Sequence, residues 1–207
     1  MRTILVAFLA TLAASLAATP GRLDAPKNST PEEISRLDEC IQRRFLAGDT
    51  FGMRRILPMQ YHGVTLFQPE NETERAVVDQ LRRKGYEVAL YLAGRNILTA
   101  QDNPPQLLNL RRSRIQGPAV ITPAQPSDFP PPDTLLADGR SALMAVQKGE
   151  GYDIRKTGWT VTVRPLRASN QRCVQCHMAG PGGAEGGTKI GDPLGVAMYV
   201  YRRPPGH

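Results

Sequence analysis

Cysteine, histidine and tryptophan are scarce in this chain of 207 residues, at three, three and one. Three cysteines cannot build a disulfide framework, and no second C-x-x-C or H-x-x-x-H completes a four-ligand zinc site. Acidic residues are also short, 19 against 26 lysines and arginines, so the formal net charge is +7, or +6 without Arg2. The basic residues are scattered, and the densest cluster, Arg111-Arg112-Ser113-Arg114, reads as a solvated loop. That distribution excludes nucleic acid as the expected partner and favours an acidic protein or an anionic surface. Beyond the N-terminus no apolar run approaches the roughly 20 residues of a membrane span.

The N-terminus itself is apolar. Arg2 precedes an unbroken run of apolar and small residues from Ile4 to Ala18, and Pro20-Gly21 ends it. This predicts a signal peptide over 1–18, cut after Ala17 or Ala18, and hence a periplasmic or otherwise extracytoplasmic protein. A polar, Pro-containing linker over 19–29 follows. Removing the leader leaves about 190 residues, enough for one domain with a real core, taken as 30–203 with a tail at 204–207.

Against this background Cys173-Val174-Gln175-Cys176-His177 stands out. It has the C-x-x-C-H form through which haem c is attached. One helical turn presents both sulfurs to a haem edge, and the adjacent His177 is the expected proximal iron ligand. A thioredoxin-type pair normally sits early, at a strand-to-helix step, whereas this one is near the C-terminus. Covalent haem attachment belongs outside the cytoplasm, so leader and motif support each other.

The pattern around the motif is mixed. Thr30-Pro31-Glu32-Glu33 combines a capping-box pair with proline at the first helical position, and Ile34, Leu37, Ile41 and Phe45 continue at helical spacing toward Gly48. A second helix is predicted over 72–84 behind Asn71, then a strand over 86–92. Eight of the 18 prolines fall in 103–133, which predicts a long irregular excursion. A helix over 134–148 capped by Asp133 follows. Trp159, Val161 and Val163 alternate as a half-buried strand, Asn170 caps the short motif helix, and Leu194, Val196, Met198 and Val200 alternate as a second strand. The expected class is α/β (α+β), with an antiparallel pair joined through the haem helix.

The stretch 151–203 resembles the PAS-like c-type haem domain family, small exported proteins or input domains of sensor kinases. The resemblance is carried by Val163-Arg164-Pro165-Leu166, the C-x-x-C-H, a glycine-rich spacer, and Gly191-Asp192-Pro193-Leu194-Gly195-Val196. It implies an N-terminal helix with a PAS-like antiparallel sheet, one covalent haem c, and redox or ligand sensing. In that family a cysteine on the N-terminal helix can be the distal ligand, a placement that Cys40 matches; as the odd thiol of an exported chain it is otherwise a small buried residue or half of an intermolecular disulfide.

The distal position decides function, because a filled site suits electron transfer and an open one suits small molecules. Besides Cys40, the thioethers of Met53, Met59, Met144 and Met198 and the imidazoles of His62 and His207 are candidates, while Met178 adjoins His177 and cannot reach the opposite face. Electron transfer or redox sensing through a six-coordinate haem, with a separate redox partner, is the expected role. A gas-binding module for nitric oxide, carbon monoxide or oxygen is the alternative. An enzyme such as a peroxidase is disfavoured, since the C-terminal part shows no acid–base constellation. Arg164 or Arg167 is expected to pair with the haem propionates.

Overall fold

The computed structural model describes residues 30–46, 60–61, 64–98, 115–122, 124–156, 158–178 and 187–204. The predicted leader, linker and Gly48, and the first part of the Pro-rich segment, lie outside the described residues.

Helix α1 (Glu32–Leu46) starts where the Pro31 carbonyl accepts from the amides of Ile34 and Ser35 at 3.0 and 3.1 Å. The predicted capping-box partners are engaged farther away. The Thr30 hydroxyl accepts from Arg164 at 3.0 Å, and the Glu33 carboxylate accepts from Gln80 of α2 (Glu72–Arg83) and from Lys84, the residue that caps its end. A second helix lying alongside offers Glu33 a full cation, a stronger partner than a backbone amide. The Asn71 cap of α2 forms as expected, its side chain accepting from the Glu74 amide at 3.0 Å. Arg44 of α1 donates through Nε to Glu74 at 2.8 Å and through Nη2 to the second carboxylate oxygen, and its guanidinium lies 4.4 Å from the Phe67 ring centroid. Arg44 and Glu74 therefore lock the two helices together as a buried ion pair.

Among the described residues seven strands form one sheet: β1 (Gln60–Tyr61), β2 (Val64–Leu66), β3 (Glu87–Gly94), β4 (Gln116–Val120), β5 (Tyr152–Lys156), β6 (Trp159–Arg167) and β7 (Pro193–Arg202). Their order is β1-β2-β4-β3-β7-β6-β5. The contiguous five from β4 to β5 are antiparallel throughout, whereas β2 and β4 pair in parallel. Helices cover both faces, so the mixed α/β class is what the structure has.

Alternation along the strands divides the core. Val88, Leu90 and Leu92 of β3, with Ala197, Tyr199 and Tyr201 of β7, meet Ile34, Leu37 and Ile41 of α1 and Val77, Val78 and Leu81 of α2. Ala89, Tyr91 and Ala93, with Val196, Met198 and Val200, face the other way toward Ala142, Leu143 and Val146 of α3 (Leu136–Gln147). Each large apolar side chain so buried contributes about 1.5–3 kcal/mol. Gly195 of β7 is required by the packing: a Cβ there would lie 2.4 Å from the Ala93 carbonyl oxygen of β3.

Three expectations are corrected. The Pro-rich segment contains β4, which tolerates Pro118 because Gly117-Pro118 falls where the β3–β4 register shifts and no ladder bond is needed. The third helix is preceded by a short 3-10 turn over Pro132–Leu135, so Asp133 is not its cap, and no side chain caps α3. Thr162, which alternates with the apolar residues of the half-buried strand, is buried, as is Tyr199 of β7 in the group that α1 closes. Gly149, at φ +80, closes the helix as predicted. Among the described residues no helix is long and apolar enough to cross a membrane.

Candidate haem site

The motif lies on the connection between β6 and β7, and the chain clasps that connection at its base. The Ala168 amide donates to the Asp192 carbonyl at 2.9 Å, and the Gly191 amide donates back to the Ala168 carbonyl at 2.7 Å. Arg167 adds a bond to the Gly191 carbonyl at 2.9 Å. Asp192 also turns its carboxylate onto the Lys189 amide at 2.8 Å, tightening the turn before β7.

From this base rises α4 (Gln171–Met178). Asn170 caps it as predicted, its side-chain oxygen accepting from the Arg172 and Cys173 amides at 3.0 and 3.2 Å. On a helix, residues three and four apart share a face. Cys173, Cys176 and His177 therefore occupy one arc of α4. Cys173 is buried with Ala168, Val174 and Leu194, and Phe45 of α1 packs against the group. His177 is exposed, yet the surrounding protein partly desolvates its imidazolium, and the Arg95 guanidinium repels it. Both effects lower its pKa and favour the neutral imidazole, the form that binds iron.

These residues fit a flat, apolar, covalently held macrocycle. Two adjacent thiol positions and a neutral imidazole share an arc, one thiol has an apolar wall, and two of the large exposed apolar residues, Ile190 and Leu46, adjoin the turn and helix end that flank it. Among the described residues no three of His, Cys, Asp and Glu converge as they would around a bare ion. Comparison with family models, curated proteins and solved structures gives no match.

The distal candidates separate by position. Cys40 is buried on α1, 2% exposed, in the core group that includes Leu166 and Tyr199. Its sulfur accepts from Arg43 Nη2 at 3.5 Å. Desolvation pushes the thiol pKa up despite that cation. Phe45 packs against this group and against that of Cys173, so the end of α1 borders both. The helical rise puts Cys40 about 7.5 Å back along the axis from Phe45. The structure thus places α1 beside α4 but does not gather Cys40 and His177 into one group. Met198 is fully buried in the core of the opposite sheet face, and Met144 stands exposed on α3, which covers that face. The sheet separates both from α1. Met53, Met59, His62 and His207, and the side chains of Cys176 and Met178, lie outside the described residues.

The two arginines expected beside a propionate each have partners within the chain. Arg164 reaches Thr30 and lies 3.7 Å from Asp153, and Arg167 bonds the clasp. Arg95, which local sequence gave no reason to select, is the cation near His177. It follows β3 directly and donates to the buried Thr188 hydroxyl at 3.2 Å.

Proposed function

We propose that this chain is an exported monohaem c-type cytochrome of the PAS-like c-type haem domain kind, acting in electron transfer or redox sensing. The observation that carries this reading is C-x-x-C-H on a capped helix whose connection is clasped between adjacent strands. An N-terminal helix packed on an antiparallel sheet supports the family assignment.

In this reading Cys173 and Cys176 would hold the haem through carbon–sulfur bonds to its two vinyl groups, each thiol hydrogen going to the neighbouring vinyl carbon. His177 supplies neutral imidazole as proximal ligand, and Cys40 is the proposed distal ligand. The bound group supplies a one-electron iron couple. Val174, Leu194 and Phe45 exclude water from its edge, and an acidic redox partner suits the net positive charge.

A second reading, the gas-binding module, draws on one observation. Cys40 sits within the core, with its thiol form favoured, so its sulfur competes poorly for iron unless α1 adjusts.

Expression in a host able to attach haem c tests both. Wild type should gain the mass of one haem, and Cys173→Ala with Cys176→Ala should gain none. Haem-free wild type would sink the proposal. Low-spin spectra indifferent to carbon monoxide favour electron transfer, with Cys40→Ala converting them to high spin. Ready carbon monoxide binding by wild type favours the gas-binding module.

A further inference from the structure

We infer that Arg95 is the residue that binds a propionate carboxylate of the covalently attached haem. This rests on the haem reading above. The end of β3 lies at the same end of the sheet as the start of β7, because Gly94 pairs with Gly195. Asp192, just before β7, is bonded to Ala168, two residues before the cap of the haem helix. Arg95, the residue after Gly94, therefore stands where the connection carrying Cys173 and His177 leaves and rejoins the sheet.

Its guanidinium is aimed by Thr188, whose hydroxyl accepts from Nη2 at 3.2 Å and which is 2% exposed. Thr188 belongs to the glycine-rich part of that connection, so the cation is tied to the segment that carries the cofactor. A haem bears two propionates, and a guanidinium offers a planar fork matching a carboxylate.

The experiment uses full-length holoprotein with Arg95→Gln, Arg95→Lys and Thr188→Val. Midpoint potential is followed by spectroelectrochemistry from pH 4 to 9. Loss of the cation from a propionate stabilises ferric over ferrous haem and makes the carboxyl harder to ionise. Arg95→Gln should therefore have a lower potential, and the pH at which its potential begins to fall should move upward. Arg95→Lys should recover most of the potential, and Thr188→Val, which keeps the charge, should stay closer to wild type than Arg95→Gln. Should Arg95→Gln fail to hold haem, retention and a wild-type-like profile in Arg95→Lys would still support the assignment. An unchanged potential and pH profile in Arg95→Gln would overturn it, as would a wild-type profile in Arg95→Lys alongside an equal shift in Thr188→Val and Arg95→Gln. Wild type without covalent haem refutes the haem reading itself, a result separable from any of these.

Discussion

The Tyr199 hydroxyl, fully buried on β7, donates to the Asp38 carboxylate of α1 at 2.8 Å. Asp38 also accepts from Gln42, which in turn donates to the Pro165 carbonyl of β6 at 3.0 Å. A single carboxylate thus ties α1 to two strands. Tyr199→Phe removes the donor and leaves part of the carboxylate unpaired, a cost of about 1–3 kcal/mol. Urea unfolding of wild type and variant measures it, and a difference near zero would mean that the bond is not made in solution.

Asp38 and Glu74 should respond oppositely to pH. Burial raises the Asp38 pKa more than its hydrogen bonds lower it. The folded state then holds a proton that the unfolded chain loses, so this contribution is present at low pH and is lost as pH rises from about the ordinary value of 3.8 through the raised folded pKa. Asp38→Asn should leave stability near neutral pH unchanged or higher, and reduce the advantage at acid pH. For Glu74, burial would raise the pKa, but the Arg44 bonds outweigh it and the result lies below 4.5. Its contribution is present above that pH and is lost as pH falls through the lowered folded pKa. Thermal melts of Asp38→Asn and Glu74→Gln from pH 3 to 7 should therefore diverge in opposite senses. Parallel curves would contradict the assignment.

Glu74→Ala leaves the buried Arg44 guanidinium with the Gln68 carbonyl and, 3.4 Å from its Nη1, the exposed Glu70 carboxylate. The expected loss is about 3–5 kcal/mol. Replacing both residues by Met and Leu should recover much of it, since a buried ion pair is worth little against well-packed apolar groups. Denaturant midpoints of the single and double variants decide this. A double variant as unstable as Glu74→Ala would show that the pair is needed for more than charge neutralisation.

Gly195→Ala should cost about 3 kcal/mol or more, because the new Cβ meets a backbone carbonyl that a strand ladder cannot move aside. Gly149→Ala meets open space but must keep a positive φ, and should cost about 1 kcal/mol. Thermal unfolding ranks the two, and equal losses would show that the β3–β7 spacing yields.

Much of this architecture was legible locally, for identifiable reasons. Asn71 and Asn170 announce helix starts because their caps need only neighbouring amides, and the β6 and β7 alternations survive in sequence. β5 was missed because Tyr152-Asp153-Ile154-Arg155-Lys156 is a polar edge strand with one covered side. β4 was hidden among prolines by a register shift that only its partner strand reveals. Burial of both sheet faces could not be read, since Thr162, Tyr199 and Tyr201 resemble a wet face until α1 covers them. At the candidate site the motif and its cap were legible. Phe45 and Arg95 were not, because each reaches the motif from distant chain. Arg43 lies three residues after Cys40, a helical spacing that would have revealed its contact with the thiol.

The sheet's central seam joins β3 to β7, so its first long strand waits for its last. A nascent chain emerging from the N-terminus would hold α1, α2 and β3 with one sheet edge unsealed until residue 202 appeared. Contacts this distant in sequence make assembly slow, and a chain stopped before Pro193 would lack the strand that both β3 and β6 require. Cys173 and Cys176 on α4 precede that strand, so they emerge before the sheet can close.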